Sequence, residues 1–291
     1  MSDGSSGGSS GGSPGRLPIG VCLRAIRAEP IWWLESARRL DAAGYRGLWC
    51  WDHFMGRGDP TVPVVEDWTI LAMAAAQTSQ VTVGPFVLNV MNRHPALVAR
   101  MAATLHIASG GRLVLGIGIG GAPREHAAYG MDFPAPPERV ARLEEAVAVL
   151  RALWSGGPVT RASAYYPLTD AAAYPVPVPA PPIVIGGETP AGARLAGRIG
   201  DGWSAFDTNF EANLPLYLES LAAAGRDRAD QRVIVGFQGD WLGDEAIADS
   251  PWVQAPRETW DRWWAAGADE VIVLARTTDD VDALVAAVDR W

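Results

Sequence analysis

The sequence predicts an α/β protein, a (β/α)8 TIM barrel built as one domain. Short, continuously apolar segments alternate with amphipathic helical segments, and eight such units can be counted. Apolar strands of this kind belong to parallel sheets covered by helices on both faces. The units span about 275 residues, close to the roughly 250 of a typical barrel. The alternative is a doubly wound open sheet, which usually has a Gly-rich first turn; here the turn at residues 24–29 has no glycine.

Apolar runs bounded by glycine, proline or polar residues predict the strands. In chain order they are Leu17–Leu23, Gly47–Trp51, Val81–Leu88, Leu113–Ile117, Pro182–Gly186, Gly202–Phe206, Arg232–Phe237 and Glu270–Leu274. Apolar residues at helical spacing predict the helices, which often begin at proline and end at glycine. In chain order they are Pro30 to the stop at Gly44, Asp67–Gln77, Pro95–Ser109, Pro136 to the stop at Gly156, Pro190–Ile199, Phe210–Ala224, Pro256–Ala266 and Asp279–Arg290.

Two segments fall outside this alternation. Residues 158–181 are rich in proline and have no periodicity, so they predict an irregular insertion between helix four and strand five. A short hairpin near Tyr165 and Tyr166 fits this insertion. Residues 1–15 are a Gly/Ser-rich run, which predicts a flexible linker, and residues 16–291 then form a single domain.

Composition narrows the function. The net charge of −9 gives no basic footprint for nucleic acid and disfavours anionic membrane surfaces. Lysine is absent, which excludes Schiff-base chemistry on lysine. The two cysteines have no spacing typical of disulfide frameworks or metal sites, so no metal is predicted. No apolar run approaches the ~20 residues of a membrane helix and no signal peptide is recognised, which predicts a cytoplasmic protein with a small-molecule partner.

The candidate active site lies where the second strand ends. Asp52 and His53 interrupt an apolar run at the strand end, which is where barrel enzymes place their chemistry. An imidazole at this place is a candidate proton donor or acceptor near neutral pH. The alternative is an aspartate that caps the next segment and a histidine bonded to backbone. Glu125, in the loop after strand four, is a second candidate proton source.

Gly-rich loops follow strands four and five. Gly186, Gly187, Glu188 and Thr189 lead directly into a helix, whose N–H groups and dipole suit a phosphate. The segment at residues 118–124 is also Gly-rich. Taken alone, either loop is a weak signal, and the alternative for both is an ordinary tight turn between a strand and a helix.

Other histidines and tryptophans are ambiguous. His94 is interpreted as a turn residue or helix cap, and His106 as a packed or surface side chain, whereas His126 could reach the pocket. Trp51 and Trp203, at strand ends, could stack on a planar ligand or pack in the core. The tryptophans at 260, 263 and 264 share a helix face, which predicts core packing or a subunit contact.

Six segments, taken in order, resemble the luciferase-like monooxygenase superfamily. They are WDHF at 51–54, RHPALVARMAAT at 93–104, SGGRLVLGIG at 109–118, EHAAYG at 125–130, PIVIGG at 182–187 and IGDGW at 199–203. The resemblance covers roughly residues 17–291. Asp-His after strand two is typical of the branch that uses the deazaflavin coenzyme F420. The resemblance implies a barrel with an insertion, an F420-dependent oxidoreductase and a homodimer.

The resemblance also implies roles for individual residues. Asp52 and His53 are the expected catalytic residues, with His53 exchanging a proton and Asp52 orienting His53 or contacting the coenzyme. The peptide between Pro85 and Phe86 is expected to be cis, behind the coenzyme ring. The expected cofactor-binding residues are Asp52, Phe86, Asn89, Gly120, Gly186, Gly187, Glu188 and Thr189.

The chain departs from the sugar-phosphate dehydrogenases of this branch. Gly121 stands where they carry a catalytic glutamate, and Phe206 and Asp207 stand where they bind the sugar phosphate with threonine and lysine. These departures favour hydride transfer between F420 and a neutral, largely apolar acceptor such as an activated alkene, ketone or imine. An FMN-dependent two-component monooxygenase and a non-catalytic flavin- or deazaflavin-binding protein are the alternatives.

Overall fold

The computed structural model describes residues 16–56, 58–237 and 246–291, so the predicted linker at 1–15 lies outside the described residues. Within these ranges one parallel sheet contains nine strands. They are β1 Ile19–Leu23, β2 Gly47–Cys50, β3 Thr82–Pro85, β4 Leu88–Asn89, β5 Leu115–Gly118, β8 Ile183–Gly186, β9 Gly202–Phe206, β10 Arg232–Gly236 and β11 Glu270–Ala275. Two more strands, β6 Val159–Arg161 and β7 Leu168–Ala171, form a separate antiparallel pair in the proline-rich segment.

The parallel sheet closes into the predicted eight-unit barrel. Its strand order is β3-β2-β1-β11-β10-β9-β8-β5-β4, in which β3 and β4 are two parts of the predicted third strand. The main chain of Val83 in β3 donates to Arg112 and accepts from Val114, both at 3.0 Å, and so joins β3 to the chain entering β5. The two ends of the sheet therefore meet, and the fold class predicted from the strand and helix alternation is confirmed.

The third strand is interrupted by a cis peptide between Phe86 and Val87. The resemblance placed this peptide between Pro85 and Phe86, one residue too early. The side chain of Val87 then lies against the ends of the neighbouring strands. A Cβ added at Gly118 or Gly186 would come within 3.0 and 2.8 Å of Val87 Cγ2, so glycine at both positions leaves room for this valine.

Proline at the first turn, or a capping side chain, fixes where most helices begin. The helices are α1 Pro30–Ala42, α2 Asp67–Gln77, α3 Pro95–Ala108, α4 Pro123–Ala128, α5 Pro136–Trp154, α6 Pro190–Ile199, α7 Asp207–Ala223, α8 Pro251–Gln254, α9 Pro256–Ala265 and α10 Thr278–Ala287. His94 caps α3 by accepting from the Ala96 N–H at 3.2 Å, as its interpretation as a cap requires. The short helix α4 was missed, because six residues are too few to show helical periodicity.

Two apolar regions hold the fold together. One lies between the sheet and its helices and contains Cys50 and Trp203, whose ring stacks on Phe210 and Tyr217. Trp203 is therefore a core residue rather than a platform for a ligand. The second fills the barrel interior and consists of Cys22, Trp49, Phe86, Val114, Val184, Ile234, Ile272 and Leu274. In the described ranges no helix combines the length and apolar character that a bilayer crossing needs.

A buried carboxylate closes the end of the barrel where the strands begin. Glu270, at the start of β11, is inaccessible to solvent and accepts from Trp49 Nε1 at 3.1 Å. The guanidinium groups of Arg232 and Arg46 lie 2.9 and 3.4 Å from the same carboxylate. At this end of a barrel such contacts contribute to stability rather than to chemistry.

We expect Glu270→Gln to lower the free energy of unfolding by about 3 kcal/mol, because removing one partner of a buried ion cluster leaves the others uncompensated. Denaturant unfolding measures this loss. Asp261→Asn is the matched control, since Asp261 and its partner Arg257 are both exposed, and it should cost less than about 1 kcal/mol. Equal losses in the two variants would contradict the assignment.

Candidate active site

The predicted site residues gather at the end of the barrel where the strands finish. Asp52 and His53 follow β2, Asn89 ends β4, Gly120 follows β5, and the segment from Gly187 follows β8. Parallel strands bring these ends to one rim, although they come from distant parts of the chain.

Asp52 is buried and receives several hydrogen bonds. Its carboxylate accepts from the Asn89 N–H at 2.9 Å, from Asn92 Nδ2 at 3.0 Å and from Arg93 Nη1 at 2.9 Å. These bonds tie the end of β2 to the loop after β4. The carboxylate is therefore engaged by the protein itself, and its predicted contact with a coenzyme stays a prediction.

Arg93 connects three carboxylates. Besides Asp52, its guanidinium group donates to Asp67 at 2.8 Å and to Glu66, both at the start of α2. The side chains of Asp52 and Asp67 are almost completely buried. Burial, and next the negative charge of Asp52, raise the pKa of Asp67 well above its ordinary value. The cluster holds together only because Arg93 supplies the compensating charge.

His53 is paired with Glu125. His53 Nδ1 lies 2.9 Å from Glu125 Oε1, and the second oxygen of Glu125 accepts from the Phe54 N–H at 3.2 Å. The hydrogen bond to Glu125 raises the pKa of His53 against the opposing effect of burial. Burial would raise the pKa of Glu125, yet its bond to His53 and the charge of His53 lower it. The carboxylate that orients His53 is thus Glu125, not Asp52.

The exposure of this pair is asymmetric. The Glu125 side chain is 5% exposed, whereas the His53 side chain is 42% exposed. The imidazole is also in edge contact with Trp51, at 6.3 Å between ring centroids. His53 is accessible at the barrel mouth, while its partner is anchored in the protein.

His126 does not reach the mouth. It is completely buried, its Nδ1 lies 3.1 Å from the Ala122 carbonyl, and its ring packs on Phe133. Its Nε2 lies 3.4 Å from Asn89 Nδ2, and Asn89 Oδ1 accepts from the Met91 N–H at 3.0 Å. The Asn89 side chain therefore contacts His126 and the Met91 main chain. Its predicted coenzyme contact stays a prediction.

Arg139 fixes the loop after β5, a role that the sequence did not indicate. Its guanidinium group donates to the carbonyl oxygens of Ile119 and Gly120 at 3.2 and 2.6 Å and lies 4.0 Å from the centroid of the Phe133 ring. Gly120 has a φ of +74°, which favours glycine. Beside it, Gly121 faces open space, since an added Cβ would meet nothing within 4 Å.

The loop after β8 is folded tightly against α6. A Cβ at Gly187 would come within 2.7 Å of the Gly192 main chain, and Thr189 caps α6 by accepting from the Gly192 N–H at 3.1 Å. The Gly187 N–H donates to Ser204 at 3.0 Å. By contrast, the N–H groups of Glu188 and Thr189 have no hydrogen-bond partner among the described residues. Their predicted contact with a coenzyme phosphate stays a prediction.

The Glu188 carboxylate is turned away from these donors. It accepts from the Phe206 N–H at 3.0 Å and from Asn209 Nδ2 at 3.3 Å, and the Glu188 carbonyl accepts from Asn213 Nδ2 at 3.1 Å. Burial raises the pKa of Glu188. The two asparagines were not singled out in the sequence, because on α7 they resemble ordinary polar helix residues.

Aromatic side chains lie in and beside the apolar cluster of the barrel interior. Phe86 contacts Trp49 and Phe206 edge to face, at 5.9 and 6.4 Å between centroids. Trp51 and Val87 pack against the same cluster and are half-buried. A planar apolar ligand matches this surface better than a highly charged one.

The chain is a TIM barrel with a histidine and a carboxylate paired at the rim where its strands end. The chain belongs to the luciferase-like monooxygenase family, whose model matches residues 32–246.

Curated relatives share part of the sequence. The chain is 39% identical over 204 residues to an F420-dependent glucose-6-phosphate dehydrogenase from Microbacterium testaceum, covering 68% of this chain and 59% of that protein. It is 35% identical over 212 residues to an F420-dependent hydroxymycolic acid dehydrogenase from Mycobacterium tuberculosis, covering 70% and 59%. The matched region thus spans about three fifths of these relatives' length.

A solved structure shares the fold. An F420-dependent secondary alcohol dehydrogenase, solved with an F420-acetone adduct, matches with a TM-score of 0.80. The match covers 94% of this chain and 99% of that one, at 22% identity. At this identity the likeness supports the barrel fold alone.

We expect Arg93→Gln to lower the free energy of unfolding by about 3–5 kcal/mol, because it leaves buried carboxylates without their compensating charge. Asp67 has a folded-state pKa above its unfolded value, so its ionisation costs stability once the pH rises above the unfolded value. Without Arg93 that cost grows, and the deficit should be larger near about pH 7 than near about pH 5. Unfolding at both values tests this, and an equal or larger deficit at the lower pH would contradict it.

Proposed function

We propose that this protein is an oxidoreductase that transfers hydride between coenzyme F420 and a neutral, largely apolar small molecule, such as an activated alkene, ketone or imine. The carrying observation is the His53–Glu125 pair, with His53 partly exposed at an apolar barrel mouth. F420 is the favoured coenzyme because the two curated relatives described above carry that coenzyme in their names.

The residues present fit this coenzyme. The free N–H groups of Glu188 and Thr189, at the start of α6, suit the coenzyme's phosphate. The close approach of Gly187 to Gly192 provides the narrow backbone turn that such a group needs. Phe86 and Trp51 offer apolar surface for a planar ring. Gly186 and Gly120 leave space for the side chains of Val87 and Asn89 respectively, and their predicted coenzyme contacts stay predictions.

When bound, the deazaflavin supplies a carbon that donates or accepts hydride. The protein's own residues then orient the acceptor and move one proton. His53 is the group placed for that proton, since its ring is accessible and the hydrogen bond to Glu125 raises its pKa, which favours the protonated form that can donate. Asp52 contributes by fixing the end of β2 that carries His53.

The residues at the barrel mouth favour an apolar acceptor over a phosphorylated sugar. Phe206 and Asp207 occupy the start of α7, where sugar-phosphate dehydrogenases of the branch carry threonine and lysine, and the chain has no lysine. Arg93, in the loop after β4, is occupied by three carboxylates. A phosphorylated sugar therefore lacks its usual partners here.

Coenzyme choice is tested by fluorescence titration of the purified protein with F420 and with FMN. We expect F420 to bind at least tenfold more tightly, because the family branch is the deazaflavin one. Tight FMN binding without F420 binding would contradict the proposal and favour a two-component monooxygenase. In that case oxygen consumption coupled to hydroxylation would be measured next.

A non-catalytic deazaflavin-binding protein is the second candidate, and Gly121 favours it. The position that carries a catalytic acid in related dehydrogenases faces open space here and has no side chain. Stopped-flow mixing of the reduced-coenzyme complex with a panel of enones, ketones and imines decides between the two. Binding without any oxidation of the coenzyme would support the binding protein.

We expect His53→Ala to lower kcat by about 10²–10⁴-fold, the usual contribution of a positioned acid or base, with little change in coenzyme affinity. The control is His94→Asn, which keeps a good capping residue at the start of α3 and should retain turnover. A decrease of less than tenfold in kcat for His53→Ala, with unchanged thermal stability, would remove His53 from the mechanism.

Two further expectations stay predictions, a homodimer and a cytoplasmic location. Trp260 and Trp263 are buried in the core, whereas Trp264 on the same helix is 60% exposed. An exposed tryptophan beside Trp260 is consistent with a subunit contact on α9.

A further inference from the structure

We propose that Glu125 is the positioning residue of this site, which fixes His53 Nδ1 and so makes Nε2 the atom that exchanges a proton with the acceptor. This inference rests on the proposed function and adds to it the residue that positions His53 and the ring atom that exchanges the proton. The two ring nitrogens of histidine are distinct, and the partner of one decides the role of the other. Here Nδ1 faces a carboxylate at 2.9 Å, and Nε2 has no partner among the described residues.

Glu125 is itself held in place, as a positioning residue must be. One of its oxygens faces Nδ1 of His53, and the other accepts from the Phe54 N–H. A single carboxylate therefore contacts two consecutive residues. Tyr129, one turn further along, packs its ring on Phe54 at 5.6 Å between centroids. The helix α4 and the residue that follows it thus clamp the segment after β2.

Two other carboxylates at the rim, those of Asp52 and Glu188, are hydrogen-bonded to other groups. Asp52 is engaged by Asn89, Asn92 and Arg93. The Glu188 carboxylate is bonded to the Phe206 main chain and to Asn209. Glu125 therefore supplies, through His53, the acid–base chemistry for which position 121 has no side chain.

The step balances with one hydride and one proton. In the reducing direction the acceptor carbon gains hydride from the reduced deazaflavin, and its oxygen, nitrogen or conjugated carbon gains the proton from Nε2 of the imidazolium. His53 becomes neutral and keeps its Nδ1–H bonded to Glu125. The ring, 42% exposed at its side chain, then regains a proton from water. The oxidising direction reverses each transfer.

The test combines histidine NMR with kinetics on Glu125→Gln. The amide is close in shape to the carboxylate, but it lacks the charge, and its single oxygen can accept from only one of the two groups that face Glu125, His53 Nδ1 and the Phe54 N–H. We expect the pKa of His53, measured by ring NMR without any ligand, to fall in this variant. In turnover we expect kcat to fall about 10–100-fold, because orientation and charge are both impaired, and the limb of the pH profile set by His53 to move to lower pH.

Two comparisons complete the design. Glu125→Asp, which keeps the charge on a shorter side chain, should retain more activity and a higher His53 pKa than the glutamine variant. Glu144→Gln removes an exposed carboxylate that pairs with Arg198, and it should change neither readout.

The outcomes separate this inference from the function on which it rests. An unchanged His53 pKa and pH profile in Glu125→Gln, with only a lower melting temperature, would overturn the positioning role. The proposed function would be overturned if the wild-type protein oxidised reduced F420 with none of the acceptors tested. A fall in the His53 pKa in Glu125→Gln would still support the coupling of Glu125 to His53 in that case.

Discussion

The compensation of buried carboxylates by Arg93 is the constraint on which the rim depends. Asp52 and Asp67 are side chains that water hardly reaches, and a buried carboxylate without a partner is costly. Through Arg93 the end of β2, the loop after β4 and the start of α2 become one unit. His53 is the next residue after Asp52, so its place at the mouth follows from this cluster.

The architecture of the barrel could be predicted from the sequence because each apolar strand and each proline-initiated helix has a pattern that is visible within its own segment. The bounds of α2, α6 and β9 agree with prediction. The apolar run did not reveal the break in the third strand, which the family resemblance placed one residue too early, since Val87 has room only because Gly118 and Gly186 lie on other strands. That fit depends on contacts between strands, which an apolar run does not encode.

The candidate site was predicted in its location and only partly in its contacts. His53 stood out as a polar residue ending a buried strand, but its partner Glu125 lies 72 residues later on a helix too short to be recognised. The resemblance gave Asp52 as the residue that orients His53 or contacts the coenzyme, whereas the carboxylate bonded to His53 Nδ1 in the structure is Glu125. Arg139, Asn209 and Asn213 look like ordinary helix residues until the fold brings loop carbonyls and the Glu188 side chain to them.

The proposed place of F420 is the barrel mouth beside His53. NMR of histidine-labelled protein during F420 addition tests this place most directly. We expect the His53 ring signals to shift in proportion to the coenzyme bound. The signals of His106, which is buried near the opposite end of the barrel against the Leu113 carbonyl, should not move. Saturating F420 binding that leaves the His53 signals unchanged would contradict the account.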